Sequence, residues 1–230
     1  MEIIKKALDE GRKMLSEHES KQLLTNYGIP VTKERVVMDI EQLKEAASDI
    51  GYPIVLKAHS PSIAHKTEKN LIRLDLRNEE EAVEAFNELM QIMEGADKAV
   101  LVQEMIKGPR ELVVGLTRDP QFGPCVMFGL GGIFTEILKD ISFRIAPLER
   151  HDALEMMQEI KTHKILGEVR GLPPADTDTL ADILIAVGRI GMDNPEVKEI
   201  DINPLILDGS KPVAVDALVV LEPRDPHPSI

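Results

Sequence analysis

The periodicity of the chain changes near Val100, and that change constrains the fold more than any other feature. Upstream, helical and extended patterns alternate. Ser16 and Glu19 have capping-box spacing and predict a helix running to Tyr27, stopped by Gly28 and Pro30. Val36–Met38 predicts a short strand, and Glu41–Ile50 a helix closed by Gly51 and Pro53. Ile54–Ala58 and Leu71–Leu76 predict two further strands. Asn78 opens an amphipathic helix with Ala82, Val83, Phe86, Leu89, Met90 and Met93 on one face. Its acidic start, Glu79–Glu81, suits a helix N-terminus. Downstream, Val100–Gln103, Leu112–Gly115, Cys125–Phe128, Ile133–Leu138 and Ser142–Ile145 are short strand-like runs. Gly-Pro, Asp-Pro and Gly-Gly breaks separate them, as in antiparallel sheet. Helices return at Glu149–Lys161 and Thr177–Gly191, and strands at Val197–Leu207 and Val213–Leu221 complete the pattern. The expected class is α+β with two lobes. An N-terminal helical segment (1–21) precedes a small lobe (22–95) and a larger lobe (96–222), and a Pro-rich surface tail (223–230) follows.

The 230 residues suffice for a real core without staples. Aromatic residues make up only 3%, with no Trp, so aliphatic side chains and ten Met must fill that core. There are 27 Lys and Arg against 40 Asp and Glu, a formal net charge of −13. That balance excludes general binding to phosphate backbones, which needs a basic surface. It does not exclude small anions, because a local site can oppose the global sign. The single cysteine, Cys125, excludes an internal disulfide and a Cys-rich metal site and fits a reducing compartment. No stretch approaches ~18 consecutive apolar residues. The start Met1–Lys6 lacks the apolar core and cleavage site of a signal peptide. The expectation is a cytoplasmic protein that binds neither membrane nor nucleic acid.

The closing pair of strands carries the sharpest chemical signal. Glu199-Ile200-Asp201-Ile202-Asn203 alternates, which puts the two Ile on one face and Glu199, Asp201 and Asn203 on the other. The next strand, Val213–Leu221, is apolar except for Asp216, and an isolated carboxylate there is costly unless paired or bound to a metal. Asp208-Gly209 and Pro212 mark the turn. If Leu207 faces Pro212, then Asn203 faces Asp216. Oxygen ligands of low charge suit Mg²⁺, which keeps several waters and takes substrate phosphates. The alternative is an Asx-stabilised hairpin with a solvated acidic face.

Other segments carry weaker signals. Phe128–Phe134 contains Gly129, Gly131 and Gly132, and such backbone either approaches a ligand closely or makes a bulge or tight turn. Lys57 ends an apolar strand and Arg144 lies between Phe143 and Ile145. Each either snorkels or holds a phosphate. His59 and His65 share a polar loop without a third zinc ligand at a recognised spacing. His18, His151, His163 and His227 read as surface residues, and Cys125 as a small core residue.

As an ordered set, several segments are specific. They are Gly51-Tyr52-Pro53-Ile54-Val55-Leu56-Lys57, Ser60-Pro61 to His65-Lys66-Thr67, and Gly115 to Asp119-Pro120-Gln121-Phe122-Gly123-Pro124. Then come Gly129-Leu130-Gly131-Gly132-Ile133-Phe134-Thr135-Glu136, Lys139-Asp140, Arg144-Ile145-Ala146-Pro147-Leu148 and Glu199-Ile200-Asp201-Ile202-Asn203-Pro204-Leu205. Over about 16–222 the chain resembles the β subunits of ADP-forming acetyl-CoA synthetases (acetate–CoA ligases), which are ATP-grasp proteins. It is more distantly similar to the succinyl-CoA synthetase β subunit.

The resemblance implies an ATP-grasp fold with ATP or ADP between two lobes. It implies that Lys57 contacts the phosphates, and that Gln103 with the backbone of Glu104, Met105 and Ile106 forms the adenine-side hinge. Glu111 would bind the ribose or a nearby nucleotide group, and Asn203 and Asp216 would hold Mg²⁺. His65 matches the histidine that relays a phosphoryl group between an α-subunit phosphohistidine and ADP. Here that loop continues Glu68-Lys69-Asn70, where the family usually has an acidic residue and a Gly-Gly pair. The chain has no G-x-G-x-x-G unit for coenzyme A, so a separate α subunit is implied, in an α2β2 assembly. The implied reaction is acyl-CoA + ADP + phosphate ⇌ carboxylate + ATP + CoA. Two other readings are a stand-alone ATP-grasp carboxylate–amine ligase and a non-catalytic ADP-binding regulatory subunit.

Overall fold

The computed structural model describes residues 1–59, 71–93, 98–132 and 140–223. Within these the chain forms two compact units, one of residues 32–106 and one of residues 1–31 with 107–230. The boundaries correct the expected division. Residues 22–31 and the N-terminal segment belong to the larger unit, because Ile4, Ala7, Leu15, Leu23, Leu24 and Ile29 pack into its core. The small unit extends past residue 95, because Ala99–Glu104 is a central strand of its sheet. The expected strand over Ile133–Leu138, the loop of His65, and the tail with His227 lie outside the described residues.

The small unit is a four-stranded antiparallel sheet in the order β1-β4-β2-β3, formed by β1 (Glu34–Val37), β2 (Ile54–His59), β3 (Ile72–Leu76) and β4 (Ala99–Glu104). Its helices are those the sequence announces. Asp39 caps α3 (Ile40–Ile50) by accepting the Gln42 N–H, and Asn78 caps α4 (Glu79–Ile92) by accepting that of Glu81. Gly51, at φ 89, takes the chain out of α3. One sheet face, with Ile54, Leu56, Ala58, Val100 and Val102, packs with Leu43, Ala46, Phe86 and Leu89 of the helices. Strand alternation therefore sends Val55, Lys57, Leu101 and Gln103 to the opposite face.

The larger unit begins with α1 (Glu2–Asp9) and α2 (Glu17–Asn26), the latter with the expected Ser16–Glu19 capping box. Its sheet runs β10-β8-β5-β6-β7, all pairs antiparallel, from β5 (Glu111–Asp119), β6 (Gly123–Leu130), β7 (Ile141–Ile145), β8 (Val197–Asp208) and β10 (Leu218–Leu221). Strand β9 (Lys211–Ala214) also pairs β8. Helices α5 (Arg150–Glu159) and α6 (Thr177–Asp193) complete the unit. Leu112, Val114, Leu116, Val126 and Phe128 of the sheet share a core with Met156, Leu180, Leu184, Val187 and Ile190. The sheet's second face is left without a helix among the described residues.

Two groups that tie this unit together were not legible in the sequence. Arg110, only 2% exposed, donates from Nη1 and Nη2 to the carbonyls of Ile165, Gly167, Pro173 and Gly209. Asp140 accepts from the N–H groups of Lys161 and Thr162 and from the Thr162 hydroxyl. Removing Arg110 takes the donor from four carbonyls in part-buried bonds, and each one left unsatisfied costs about 1–3 kcal/mol. Arg110→Met should therefore lower unfolding stability by roughly 3 kcal/mol, read as a reduced urea midpoint at unchanged slope.

The N-terminal segment supplies a pH signature. Burial alone would raise the Glu19 pKa, but the two-pronged bond from Arg12, with the Ser16 N–H and hydroxyl contacts, outweighs it and holds the carboxyl at about 2. A pKa below the unfolded value contributes stability that is complete above the unfolded pKa and is lost as the pH falls through the folded one. The stability advantage of wild type over Glu19→Gln should be present at pH 7 and disappear between about pH 4.5 and about pH 2, in denaturant titrations across that range.

Candidate functional site

The candidate residues fall on both units, and each set takes its geometry from its own sheet. In the small unit, Lys57 is opposite Leu101, and Gln103 is opposite Val55. Lys57 and Gln103 are thus diagonal neighbours on the face away from α3 and α4, within reach for long side chains. They are 4% and 1% exposed, an unusual fate for a Lys and a Gln, and the sheet positions both without their reaching into the apolar core. Where β4 ends, the backbone is partly committed. The Glu104 N–H donates to the Lys33 carbonyl, and its carboxylate accepts the Lys33 N–H at 2.7 Å. The Met105 N–H donates to the Pro53 carbonyl. Both N–H groups are thus engaged within the small unit, and Ile106 is its last residue.

In the larger unit, Glu111 opens β5 opposite Ile206. Its carboxylate lies against Gly132, where a Cβ would come within 2.7 Å of Oε2, and Gly132 has φ 68. The other glycines of this segment have structural reasons. A Cβ on Gly129 or Gly131 would come within 2.7 Å of the Asp140 or Leu112 carbonyl.

The closing strands keep the register read from the sequence. Leu207 is opposite Pro212 and Leu205 opposite Ala214, and the Val215 N–H donates to the Pro204 carbonyl. Beyond that, Asp201 is opposite Leu218 and Glu199 opposite Val220, in the same phase. Asn203 and Asp216 are therefore in register, in the interval between the two ladders. The expected single strand Val213–Leu221 is instead two, β9 and β10, with Asp216 in the break between them. Across β5, Leu112 pairs Leu205 and Val114 pairs Ile202, so Val113 stands opposite both Asn203 and Pro204. This is a β-bulge. It shifts the core-facing positions of β8 from Ile200 and Ile202 to Leu205 and Leu207. The partner chain shifts with it, from Ala214 to Ala217 and Val219. Strict alternation from Ala214 would have driven Asp216 into the core, and the added residue leaves it half-buried outside.

Asp201 is the residue that sequence reasoning placed on the correct face but did not select. It lies between Gly115 of β5 and Leu218 of β10. Burial, then the charges of Glu199 and Asp216, push its carboxyl up to about 6. Carboxylates crowded until one resists ionising form a place where a divalent cation would relieve the repulsion. Among the described residues no group of three or more His, Cys, Asp or Glu side chains could hold a metal ion. A cation at Asn203 and Asp216 would thus take most of its ligands from water and phosphate, as Mg²⁺ does.

Three expectations resolve differently. Arg144 lies on the helix side of β7, and its guanidinium pairs with Glu159 at 2.6 Å and with Glu155, a structural role. Cys125 is half-buried rather than in the core, because Val126 and Phe128 take the helix-facing positions of β6. His59 ends β2 rather than sitting in a loop. His18 and His163 are partly exposed and His151 is exposed, as expected.

The sequence matches the ATP-grasp domain family over residues 6–221. It is 47% identical to the β subunit of acetate–CoA ligase (ADP-forming) I of Pyrococcus furiosus, over 96% of this chain and 97% of that one. It is 42% identical to acetate–CoA ligase (ADP-forming) I of Archaeoglobus fulgidus, over 96% of this chain but only 33% of that longer protein. Two structures of acetyl-coenzyme A synthetase 1 from Candidatus Korarchaeum cryptofilum superimpose with TM-scores of 0.91 and 0.86, at 42% and 43% identity. Each alignment covers 96% of this chain and 99% of the other. One of them is complexed with coenzyme A and Mg-AMPPCP, with a phosphohistidine segment pointing towards the nucleotide-binding site.

The crowding at Asp201 gives a direct check. In Asp216→Asn the Asp201 carboxyl should titrate below about 6, moving toward 3.8, with the carboxyl ¹³C shift as the readout.

Proposed function

Since the chain belongs to the ATP-grasp family, among the β subunits of ADP-forming acetate–CoA ligases, we propose that it is the nucleotide-binding subunit of an ADP-forming acyl-CoA synthetase. The observation that carries this reading is 47% identity to such a subunit across nearly the whole of both chains. The complete enzyme converts acyl-CoA, ADP and phosphate to carboxylate, ATP and CoA. Its α subunit corresponds to the remaining two thirds of the longer Archaeoglobus fulgidus relative and is the source of the phosphoryl group. The assembly proposed is α2β2, in the cytoplasm, in keeping with the single cysteine. The matched relatives are CoA ligases. That favours this reading over a carboxylate–amine ligase and over a non-catalytic ADP-binding subunit.

The residue roles follow from chemistry and placement. His65, outside the described residues, accepts the phosphoryl group on an imidazole nitrogen and passes it to the β-phosphate oxygen of ADP. The N–P bond breaks as the O–P bond forms. Lys57 offsets charge on the transferring oxygens, and its place on a rigid strand keeps its long stem from wandering. Gln103 and the backbone of Glu104, Met105 and Ile106 hold the adenine side, and Glu111 binds the ribose or a nearby nucleotide group. Asn203 and Asp216 hold Mg²⁺, which when bound neutralises charge on the nucleotide phosphates. In a chain of net charge −13, anion binding depends on these few local charges.

His65→Ala should abolish ATP synthesis by the reconstituted enzyme while Mg·ADP binding is retained. Undiminished ATP formation would refute the relay. Asp216→Ala should raise the half-saturating Mg²⁺ by ~10-fold or more, read by ADP titration at varied metal. Lys57→Met should lower kcat by ~10²-fold.

A further inference from the structure

The face of the larger sheet that no described helix covers is chemically divided along its strands. One row of cross-strand partners runs Asp201, Gly115, Met127, Phe143 through β8, β5, β6 and β7. The next row runs Glu199, Thr117, Cys125, Ile145. The β8 end is acidic, and the β6–β7 end is apolar. Phe143 is 48% exposed and Ile145 51%, although strand neighbours Ser142 and Arg144 are engaged on the helix side. Strand β7 is an edge of the sheet among the described residues. An edge strand that displays two large apolar side chains is an aggregation hazard unless something covers it. Phe122, in the turn between β5 and β6, adds a third exposed apolar group, at 56%.

We propose that this patch, Met127, Phe143 and Ile145 on the face of β6 and β7 that no described helix covers, is a docking surface for the α subunit. The proposal rests on the functional reading above, which supplies the partner. The longer Archaeoglobus fulgidus relative carries the matching module as one third of a single chain, so the other two thirds work covalently beside it. Aromatic and Met side chains are the groups enriched where stable partners meet, and charged ones are depleted there. The patch is also continuous with the proposed metal site. Phe143 and Asp201 lie in one row, three strand spacings or roughly 14 Å apart. A partner anchored at β7 therefore holds its phosphoryl-bearing segment along the same face that carries Asp201, Asn203 and Asp216. The transfer becomes effectively intramolecular.

The test uses this chain and its native α subunit, the separate chain that aligns with the remaining two thirds of the fused relative. Phe143→Asp and Ile145→Asp are compared with wild type and with Leu74→Asp, which alters an equally exposed apolar residue, 65%, on the other sheet. Five quantities are read: affinity for the α subunit by titration calorimetry, Mg·ADP binding, melting temperature, self-association by sedimentation, and ATP synthesis at saturating ADP. The expected result is at least ~10-fold weaker α binding for both β7 variants, with Mg·ADP binding and melting unchanged and Leu74→Asp like wild type. ATP synthesis should be restored by raising the α-subunit concentration. Wild-type α affinity in both β7 variants would overturn the surface and leave the functional reading standing. Failure of the unaltered chain to bind the α subunit at all would overturn both. Loss of self-association by the β7 variants with α binding intact would assign the patch to a second copy and overturn the proposal.

Discussion

A sheet strand hides every second residue, so a carboxylate at a position that strict alternation points inward must either enter the core or break the alternation. At Asp216 the alternation breaks. One extra residue enters β8 at Asn203-Pro204, and one enters the facing chain at Val215-Asp216, so the core is regained at Leu205 on one side and Ala217 on the other. Because both chains slip together, their mutual register survives from Asp208 and Lys211 to Glu199 and Val220. The slip turns polar groups out of the core without opening the sheet. It gathers Asp201, Asn203 and Asp216 on the face that no described helix covers. The raised pKa of Asp201 is the electrostatic trace of that gathering, caused by burial first and by Glu199 and Asp216 after it.

The same division of faces organises the small unit. There α3 and α4 take the face of Ile54, Leu56 and Val102, and the other face buries Lys57 and Gln103 side by side. In both units the helices stabilise one side of a sheet, and the polar chemistry sits on the other. Strand positions hold such groups more rigidly than loops do, which suits the phosphate contact proposed for Lys57.

Much of this was legible in the sequence because it depends on local rules. The Ser16–Glu19, Asp39 and Asn78 caps are side-chain to backbone interactions over three residues, within the reach of a local reading. The Asn203–Asp216 register followed from a single turn, because an antiparallel pair propagates its phase. What could not be read depends on contacts distant in sequence. Arg110 finds carbonyls 55 to 99 residues away, and no periodicity marks it. The unit boundary was misplaced for the same reason. Residues 22–31 look like neighbours of β1 in sequence, but Leu23, Leu24 and Ile29 are buried in the core of the other unit. The bulge escaped because Ile200, Ile202 and Asn203 alternate cleanly, and only the packing of Leu205 reveals the slip.

The proposed relay requires that this chain carry the phosphoryl group itself, rather than only bind the nucleotide that receives it. Rapid-quench mass spectrometry tests that requirement on the chain reconstituted with its α subunit, acyl-CoA and phosphate, before and after addition of Mg·ADP. One phosphoryl group is expected on His65 before ADP, discharged on its addition with an equal amount of ATP formed. ATP formation with no phosphohistidine on this chain at any time point would rule the relay out.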